Sequence, residues 1–194
     1  MKEGTIIKRF DVSMMYHKGF KRDINDISEA VIHATHGKSA NGLLSWMIGG
    51  ERAAQYKKGI ALFHFLIGRL GEVYQIAPVA RWYYHSSSGK HDKQTIGIEL
   101  LNSLPNNEGD FTERQYVALE DLLFNVLFPN CKKIRRIVSH DYNYNTYSNN
   151  RKGCPGKNFS WTQMRDMFKI KKIDILPMTF EDVIEFEPLT IKGA

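Results

Sequence analysis

The sequence has little cysteine, with only Cys131 and Cys154 among its 194 residues. A small domain held together by several disulfides is therefore excluded, because such scaffolds need more cysteines than this. Long hydrophobic runs are also lacking, since no window of about 18 residues is both apolar and free of charge. A membrane-spanning helix is not expected. The first residues, 1–4, are not followed by an apolar run, which predicts that there is no secretory signal.

Neither sign of charge dominates the chain. It has 27 Lys and Arg against 21 Asp and Glu, a formal net charge of +6, and 42% hydrophobic residues. These values are typical of a globular protein and exclude intrinsic disorder, collagen and a long coiled coil. The length predicts one domain. The mild positive charge favours an anionic partner, such as a wall polymer, nucleic acid or a membrane surface, without choosing among them.

Apolar runs and helical patterns alternate along the chain. The predicted elements are strand 29–35, helix 39–48, a hairpin from 60–67 to 72–76, strand 95–101, a helix from Thr112, strand 134–139 and a helix from Ser160, with loops at 81–93 and 140–159. This alternation predicts a single α/β domain with a central mixed β-sheet flanked by helices. We interpret residues 1–28 as an N-terminal extension, 29–168 as the catalytic domain and 169–194 as a C-terminal tail packed on the domain.

Three residue positions suggest a metal site. Cys154 lies in a Gly/Pro turn with Lys152 beside it, and His140 precedes that turn. His33 stands inside a predicted strand and is a candidate third ligand. Two neutral imidazoles and a thiolate suit zinc, and they leave a fourth position open to water, as in catalytic sites. Taken singly, a strand histidine is more often a hydrogen-bonded core residue and a cysteine after glycine is more often inert, so the spacing leaves both interpretations open.

Six segments, in this order, resemble the type-2 N-acetylmuramoyl-L-alanine amidases, a family that includes phage lysins, muropeptide-recycling amidases and peptidoglycan recognition proteins. The segments are 31–35, 63–67, 84–87, 96–100, 139–141 and 151–156, the last followed by Phe159 and Trp161. The resemblance covers residues 29–168. It implies zinc-dependent hydrolysis of the amide between N-acetylmuramic acid and L-alanine, in peptidoglycan or muropeptides, with zinc in a groove at one edge of the sheet.

The resemblance also implies roles for single residues. By position, His33, His140 and Cys154 are the ligands of Zn²⁺. Glu99 is the general base and acid beside the metal, and Lys152 stabilises the oxyanion. The candidate substrate-binding residues are His36, His64, His85 and Trp82. For His64 a role in the core or behind a metal ligand is favoured over direct catalysis, and for the other three a solvated or packing role is the alternative.

The chain departs from the family pattern in two places. Several phage members carry a tyrosine where this sequence has Phe63, and we interpret Glu99 as the replacement for that phenol. The segment between His140 and Cys154 is longer than is usual in the family. Its Tyr- and Asn-rich residues are expected to form one wall of the substrate groove.

The predicted function is that of a bacteriolytic zinc amidase, similar to an endolysin, that acts on the cell wall as a monomer. No nucleic-acid-binding motif is present, so neither a nucleic-acid partner nor membrane insertion is expected. A cytoplasmic location in the producing cell fits a lysin released through a separate pore and a recycling enzyme equally. The alternatives are a peptidoglycan-binding recognition module that does not cleave, and a closed structural zinc site. The retention of Cys154, Lys152 and Glu99 favours the enzyme.

Overall fold

The computed structural model describes residues 7–9, 19–35, 39–43, 63–86, 88–104, 109–143, 153–172 and 183–186. The strands are β1 (Ile7–Arg9), β2 (Phe20–Lys21), β3 (Glu29–Thr35), β4 (Phe65–Ile67), β5 (Val73–Gln75), β6 (Arg81–Trp82), β7 (Thr95–Leu101), β8 (Arg136–Ser139) and β9 (Val183–Glu185). The helices are α1 (Gly89–Asp92), α2 (Glu113–Asp121), α3 (Phe128–Asn130) and α4 (Trp161–Ile170), with a 3₁₀ turn at Ile24–Asp26 and a π-helical segment at Leu122–Leu127.

Within the described ranges, a mixed sheet has the strand order β1-β5-β4-β7-β3-β8-β9. Strands β4, β7, β3 and β8 run parallel to one another, whereas β5 and β9 run antiparallel to β4 and β8. The second, smaller sheet pairs β2 with β6. The predicted mixed sheet is therefore confirmed, and its two longest strands, β3 and β7, lie beside each other at its centre.

The two faces of β3 have different roles, because successive side chains along a strand point to opposite sides. Ala30 and Ile32 belong to the main hydrophobic core, which also takes in one face of α2 and α4. The apolar residues that these helices contribute include Tyr116, Leu119, Met164 and Phe168. The other face of β3 carries Glu29 and His33, which are buried as well. Helices α2 and α4 thus cover one face of the sheet, and the polar residues Glu29 and His33 are on the opposite face.

The predicted helix starts at Thr112 and Ser160 are confirmed. The Thr112 side chain accepts a hydrogen bond from the backbone of Gln115, and the Gln115 side chain accepts one from the Thr112 backbone, which forms a complete capping box. Ser160 caps α4 by accepting from the backbone of Gln163. Helix α2 continues through the π-helical segment into α3, where Pro129 has no backbone N–H to donate.

Two predicted loops contain short elements. Residues 81–93 include β6 and α1, so the prediction of a continuous loop there is wrong. The partner of β6 is β2, which is remote in sequence and could not be identified from a local pattern. Residues 140–143 are helical at the start of the second loop. For the predicted helix 39–48, residues 40–43 are helical and residues 44–48 lie outside the described ranges.

The division of the chain at residues 29 and 168 stays a prediction. Strands β1, β2 and β9 lie outside those limits and pair with β5, β6 and β8, which lie inside them. Among the described residues, no helix is both long and apolar enough to cross a membrane.

Candidate metal centre and active site

The sheet brings His33 and His140 together at the carboxyl ends of parallel strands. His140 directly follows β8, whose Ser139 pairs with Ile32, so His140 is level with His33 on the neighbouring strand. Adjacent strands lie about 4.8 Å apart, which places the two side chains within reach of each other. Their ring centroids are 4.3 Å apart. The carboxyl ends of parallel strands are where open α/β sheets bind their ligands.

Cys154 is held beside these two histidines by hydrogen bonds within its own turn and to β3. The Asp141 N–H donates to the Cys154 carbonyl at 2.9 Å, and the Gly153 N–H donates to Asp141 Oδ1 at 3.0 Å. Gly153 adopts a φ of 59°, a conformation that favours glycine. The Ala34 N–H of β3 then donates to Cys154 Sγ at 3.3 Å. The residues that follow β8 are thereby tied to β3, and the sulfur lies beside the two histidines.

We call His33, His140 and Cys154 the His–His–Cys cluster. One ligand atom from each lies within 4.8 Å of the others, and all three residues are buried. Tetrahedral zinc with ordinary Zn–N and Zn–S bond lengths separates two nitrogen ligands and one sulfur ligand by about 3.3–3.6 Å, so the cluster fits zinc with a small contraction. Among the described residues, no fourth His, Cys, Asp or Glu joins this group. The donor set of three protein ligands is the one found in catalytic zinc sites.

Glu99 lies directly beside His33. It is the register partner of His33 on β7 and belongs to the same face of the sheet. The residue is half-buried, but its Oε2 atom is inaccessible to solvent and has no hydrogen-bond partner among the described residues. Burial alone raises the pKa of Glu99 to about 8. A carboxyl group with a pKa near neutrality can both accept and donate a proton, which suits acid–base chemistry.

His85 lies behind the His–His–Cys cluster. Its Nδ1 is 3.1 Å from His33 Nε2, and its Nε2 is 3.0 Å from Thr95 Oγ1. Its side chain is 4% exposed. Burial is the main cause that lowers its pKa well below the usual range, with His64 and His140 adding to the effect. The imidazole is therefore neutral at pH 7.

His64 is fully buried next to His85, with ring centroids 5.7 Å apart. The Gly97 N–H donates to His64 Nδ1 at 3.1 Å, which places the proton of the neutral ring on Nε2. The Arg81 carbonyl and Arg22 Nη2 each lie 2.9 Å from Nε2, and the carbonyl accepts its proton. Burial and the nearby Arg22 lower the pKa of His64 to about 3. This position matches the expected role in the core or behind a ligand, while a contact between His64 and substrate stays a prediction.

Trp82, which is half-buried, belongs to an aromatic cluster that it forms with the exposed residues Phe20 and Tyr84. The Trp82 ring stacks on Phe20 at a centroid distance of 4.3 Å, and Tyr84 meets it edge-on at 5.4 Å. Phe20 and Tyr84 are 45% and 41% exposed. The remaining predicted site residues, Lys152 and His36, lie outside the described residues.

Sequence reasoning missed Arg22, whose guanidinium is buried near His85. Its Nε donates to the Val79 carbonyl at 2.8 Å, and its Nη1 donates to carbonyls of Asp92 and Lys93 at 3.3 and 3.2 Å. Burial lowers the pKa of Arg22 to about 10. No sequence signal distinguishes this arginine, because its partners, which are backbone carbonyls and the His64 ring 2.9 Å from its Nη2, are remote in the chain.

Asp92 was missed as well, although it organises the backbone around His85. Its Oδ1 accepts hydrogen bonds from the His85 N–H at 3.2 Å and from the Ser86 N–H at 2.8 Å. The Ser86 hydroxyl donates to the same oxygen at 2.7 Å. Burial raises the pKa of Asp92 more than these hydrogen bonds lower it. The close approach of the His85 ring to β7 did have a sequence signal, because Gly97 is a glycine inside a predicted strand.

Comparison with known proteins agrees with this fold. A model of the Amidase_2 family, described as N-acetylmuramoyl-L-alanine amidase, matches residues 23–157. The structure is similar to that of the endolysin N-acetylmuramoyl-L-alanine amidase LysCS from Clostridium intestinale, with 18% identity over 90% of this chain and 100% of the other and a TM-score of 0.62.

Two further structures share the fold. The AmpD selenomethionine derivative has 20% identity over 83% of this chain and 93% of its own, with a TM-score of 0.62. The Drosophila peptidoglycan recognition protein SD has 16% identity over 73% and 80%, with a TM-score of 0.54. No curated protein matches the sequence significantly.

Proposed function

The chain belongs to the N-acetylmuramoyl-L-alanine amidase family, and from this membership we propose that it hydrolyses the amide between N-acetylmuramic acid and L-alanine with the help of Zn²⁺. The observation that carries the proposal is the His–His–Cys cluster, with Glu99 in register beside one of its members. His33, His140 and Cys154 are the residues that would hold the metal.

Amide hydrolysis needs an activated water, a stabilised oxyanion and a proton for the departing nitrogen. Bound Zn²⁺ supplies water activation and polarises the scissile carbonyl. We assign the proton transfers to Glu99, which takes a proton from the attacking water and gives one to the alanine nitrogen as the C–N bond breaks. The Lys152 ammonium group is assigned to the oxyanion. Water and the amide thereby yield a lactyl carboxylate and a free amine.

The roles of Glu99 and Cys154 are separated by two variants. Glu99→Gln should keep zinc but lose activity by at least about 100-fold, because the glutamine side chain cannot transfer the proton. Cys154→Ala should lose both zinc and activity. The measurements are zinc content after dialysis, by atomic absorption, and release of amine from purified peptidoglycan.

Cys131→Ala is the matched control. Cys131 is buried in the main core, away from the cluster, so its variant should retain zinc and activity. Normal turnover by Glu99→Gln would show that Glu99 is not the acid–base residue. Full zinc content in Cys154→Ala would show that the sulfur is not a ligand.

We further propose that the substrate is the intact wall and that the biological role is lysis. The similarity to the Clostridium endolysin and the net positive charge of +6 support this role. Peptidoglycan is the proposed partner, and the monomeric state and the origin in the cytoplasm stay predictions. Loss of turbidity in a suspension of purified walls would indicate lysis, whereas cleavage of soluble muropeptides alone would indicate recycling.

Non-catalytic recognition of peptidoglycan is the second candidate. The observation that favours it is the fold shared with the Drosophila recognition protein. A binder would sediment with walls and release no amine, whereas the amidase releases amine in proportion to time. The presence of Glu99 and Cys154 in this chain supports the enzyme.

A further inference from the structure

His85 is the buried group that makes a direct contact with His33 and has no role in the reaction outlined above. Its side chain lies between His33 of β3 and Thr95 of β7, with a nitrogen close to each. At 4% exposure, the ring has little surface with which to meet a substrate. Its position therefore favours an action through His33.

The hydrogen bonds around His85 have a consistent direction. With Nε2 of His33 facing His85, a metal ion would be bound by Nδ1 of His33. His33 Nε2–H then donates to His85 Nδ1, and His85 Nε2–H donates to Thr95 Oγ1. The Thr95 hydroxyl lies 3.4 Å from the Asp92 carbonyl, to which it donates. The series ends at a backbone carbonyl, and the buried Asp92 Oδ1 lies 3.7 Å from His85 Nε2.

The surroundings hold the His85 ring in this orientation. A Cβ at Gly97 would lie 2.9 Å from His85 Nδ1 and 3.0 Å from its Cγ, so the ring packs directly on the glycine. The His85 backbone N–H donates to Asp92 Oδ1. Arg22 binds the carbonyls of Asp92 and Lys93, which fixes the segment that supports the ring.

We infer that His85 is a positioning residue for the zinc site: it accepts the hydrogen bond of His33, which fixes the tautomer and orientation of that ligand and strengthens its donation to the metal. Removing the hydrogen-bond partner of a metal ligand typically lowers metal affinity by about 10–100-fold. This inference rests on the proposed zinc site and is independent of whether the protein cleaves peptidoglycan. The same inference explains why residue 97 is a glycine, because a side chain there would displace the His85 ring.

The test measures zinc affinity by competition with a chelator of known affinity, in the full-length protein. His85→Ala should bind zinc about 10–100-fold more weakly than the parent. His85→Asn places an amide oxygen where His85 Nδ1 was, so it should recover most of the lost affinity. His85→Gln extends its amide toward the position of Nε2 instead and should not. Gly97→Ala should also weaken zinc binding, because its methyl group displaces the ring.

His91→Gln is the matched control for folding. His91 is a buried histidine in α1, near His85 in sequence, but its Nε2 contacts Glu29 rather than a metal ligand. Its variant should change the thermal midpoint of the zinc-free protein without changing zinc affinity. The visible absorption spectrum of the cobalt-substituted protein should shift in His85→Ala and stay as in the parent in His91→Gln.

Two results would overturn the inference alone. These are equal zinc affinity in the parent and His85→Ala, or an Asn variant that binds zinc no better than the Gln variant. A parent that binds no zinc would overturn both the zinc site and the inference. Loss of amidase activity with unchanged zinc affinity would remove the positioning role while leaving the proposed function in place.

Discussion

At the scale of single residues, Glu29 is a carboxylate at the amino end of β3 with little access to solvent. It is 1% exposed, and its two oxygens lie 2.8 Å from His91 Nε2 and 2.8 Å from Arg136 Nη2. Burial raises the pKa of Glu29 to about 7, although Arg136 opposes the shift. Burial also lowers the pKa of His91 to about 4. The two groups therefore make stability depend on pH with opposite signs.

We predict that Glu29→Gln becomes more stable relative to the parent as pH rises from about 4.5 to about 7. In that window the folded parent binds more protons than the unfolded chain, so its free energy of unfolding falls as pH rises. Glutamine has no such dependence. The difference should change by at most about 3 kcal/mol across the window and then level off. Urea denaturation at four pH values measures it.

His91 is treated separately, because its lowered pKa makes stability rise with pH between about 4 and 6.5. Repeating the comparison in a His91→Gln background removes that contribution. A difference between Glu29→Gln and the parent that is independent of pH in both backgrounds would show that Glu29 is ionised throughout, and that its pKa is not raised.

The residues that could be predicted are those whose type conflicts with their local pattern. A histidine in an apolar strand and a cysteine in a Gly/Pro turn made His33 and Cys154 candidates, and the resemblance to the amidase family then favoured metal ligation over a core or inert role. Arg22 and Asp92 could not be found this way, because a charged residue in a charged or polar segment is ordinary, and only the fold shows that both are buried. The contact between Thr95 of β7 and His85 of the preceding loop could not be predicted either, because only the fold brings these two side chains together.

At the scale of elements, the start of α2 is joined to the sheet by two residues. Thr112 Oγ1 donates to the Arg69 carbonyl at 2.8 Å and accepts from the Gln115 N–H at 3.2 Å. Gln115 Nε2 donates to the Leu101 carbonyl at 2.9 Å, at the end of β7. The capping box therefore fixes the helix relative to the strand that carries Glu99.

We predict that Thr112→Ala lowers the free energy of unfolding by about 1 kcal/mol, because the helix loses its cap. Thr112→Ser keeps the hydroxyl and should stay close to the parent. Equilibrium unfolding in urea measures both. Equal stability of the Ala and Ser variants would contradict the role given to the capping box.

The small sheet of β2 and β6 presents the aromatic cluster to solvent, a few residues before His85. Aromatic faces bind apolar faces of sugars, so we predict that Trp82→Ala raises KM for purified walls while kcat changes little. Val117→Ala, an exposed apolar residue on α2, is the control and should change neither. A fall in kcat with unchanged KM would show that Trp82 does not act in substrate binding.

The strands and helices that were predicted correctly have strong periodic patterns or caps. Strands 29–35 and 95–101 match β3 and β7 in their bounds. β2 and β6 are two residues long and depend on each other, so neither has a pattern of its own. β9 pairs with β8 from a part of the chain with no clear strand period.

At the scale of the whole molecule, the site depends on strand order. Neighbouring positions of β7, β3 and β8 place Glu99, His33 and His140 side by side. The chain then returns to bring Cys154 against β3. Residues that are far apart in sequence thus meet at the carboxyl ends of neighbouring central strands.

The central claim is that this arrangement cleaves the amide between N-acetylmuramic acid and L-alanine with zinc. Mass spectrometry of the products from purified peptidoglycan tests it most directly, with zinc-loaded, chelator-treated and zinc-restored protein compared. We predict free stem peptides that begin with L-alanine, with intact glycan strands left behind, lost on chelation and regained with zinc. Products cut at another bond, or the same products at full yield after the metal is removed, would contradict it.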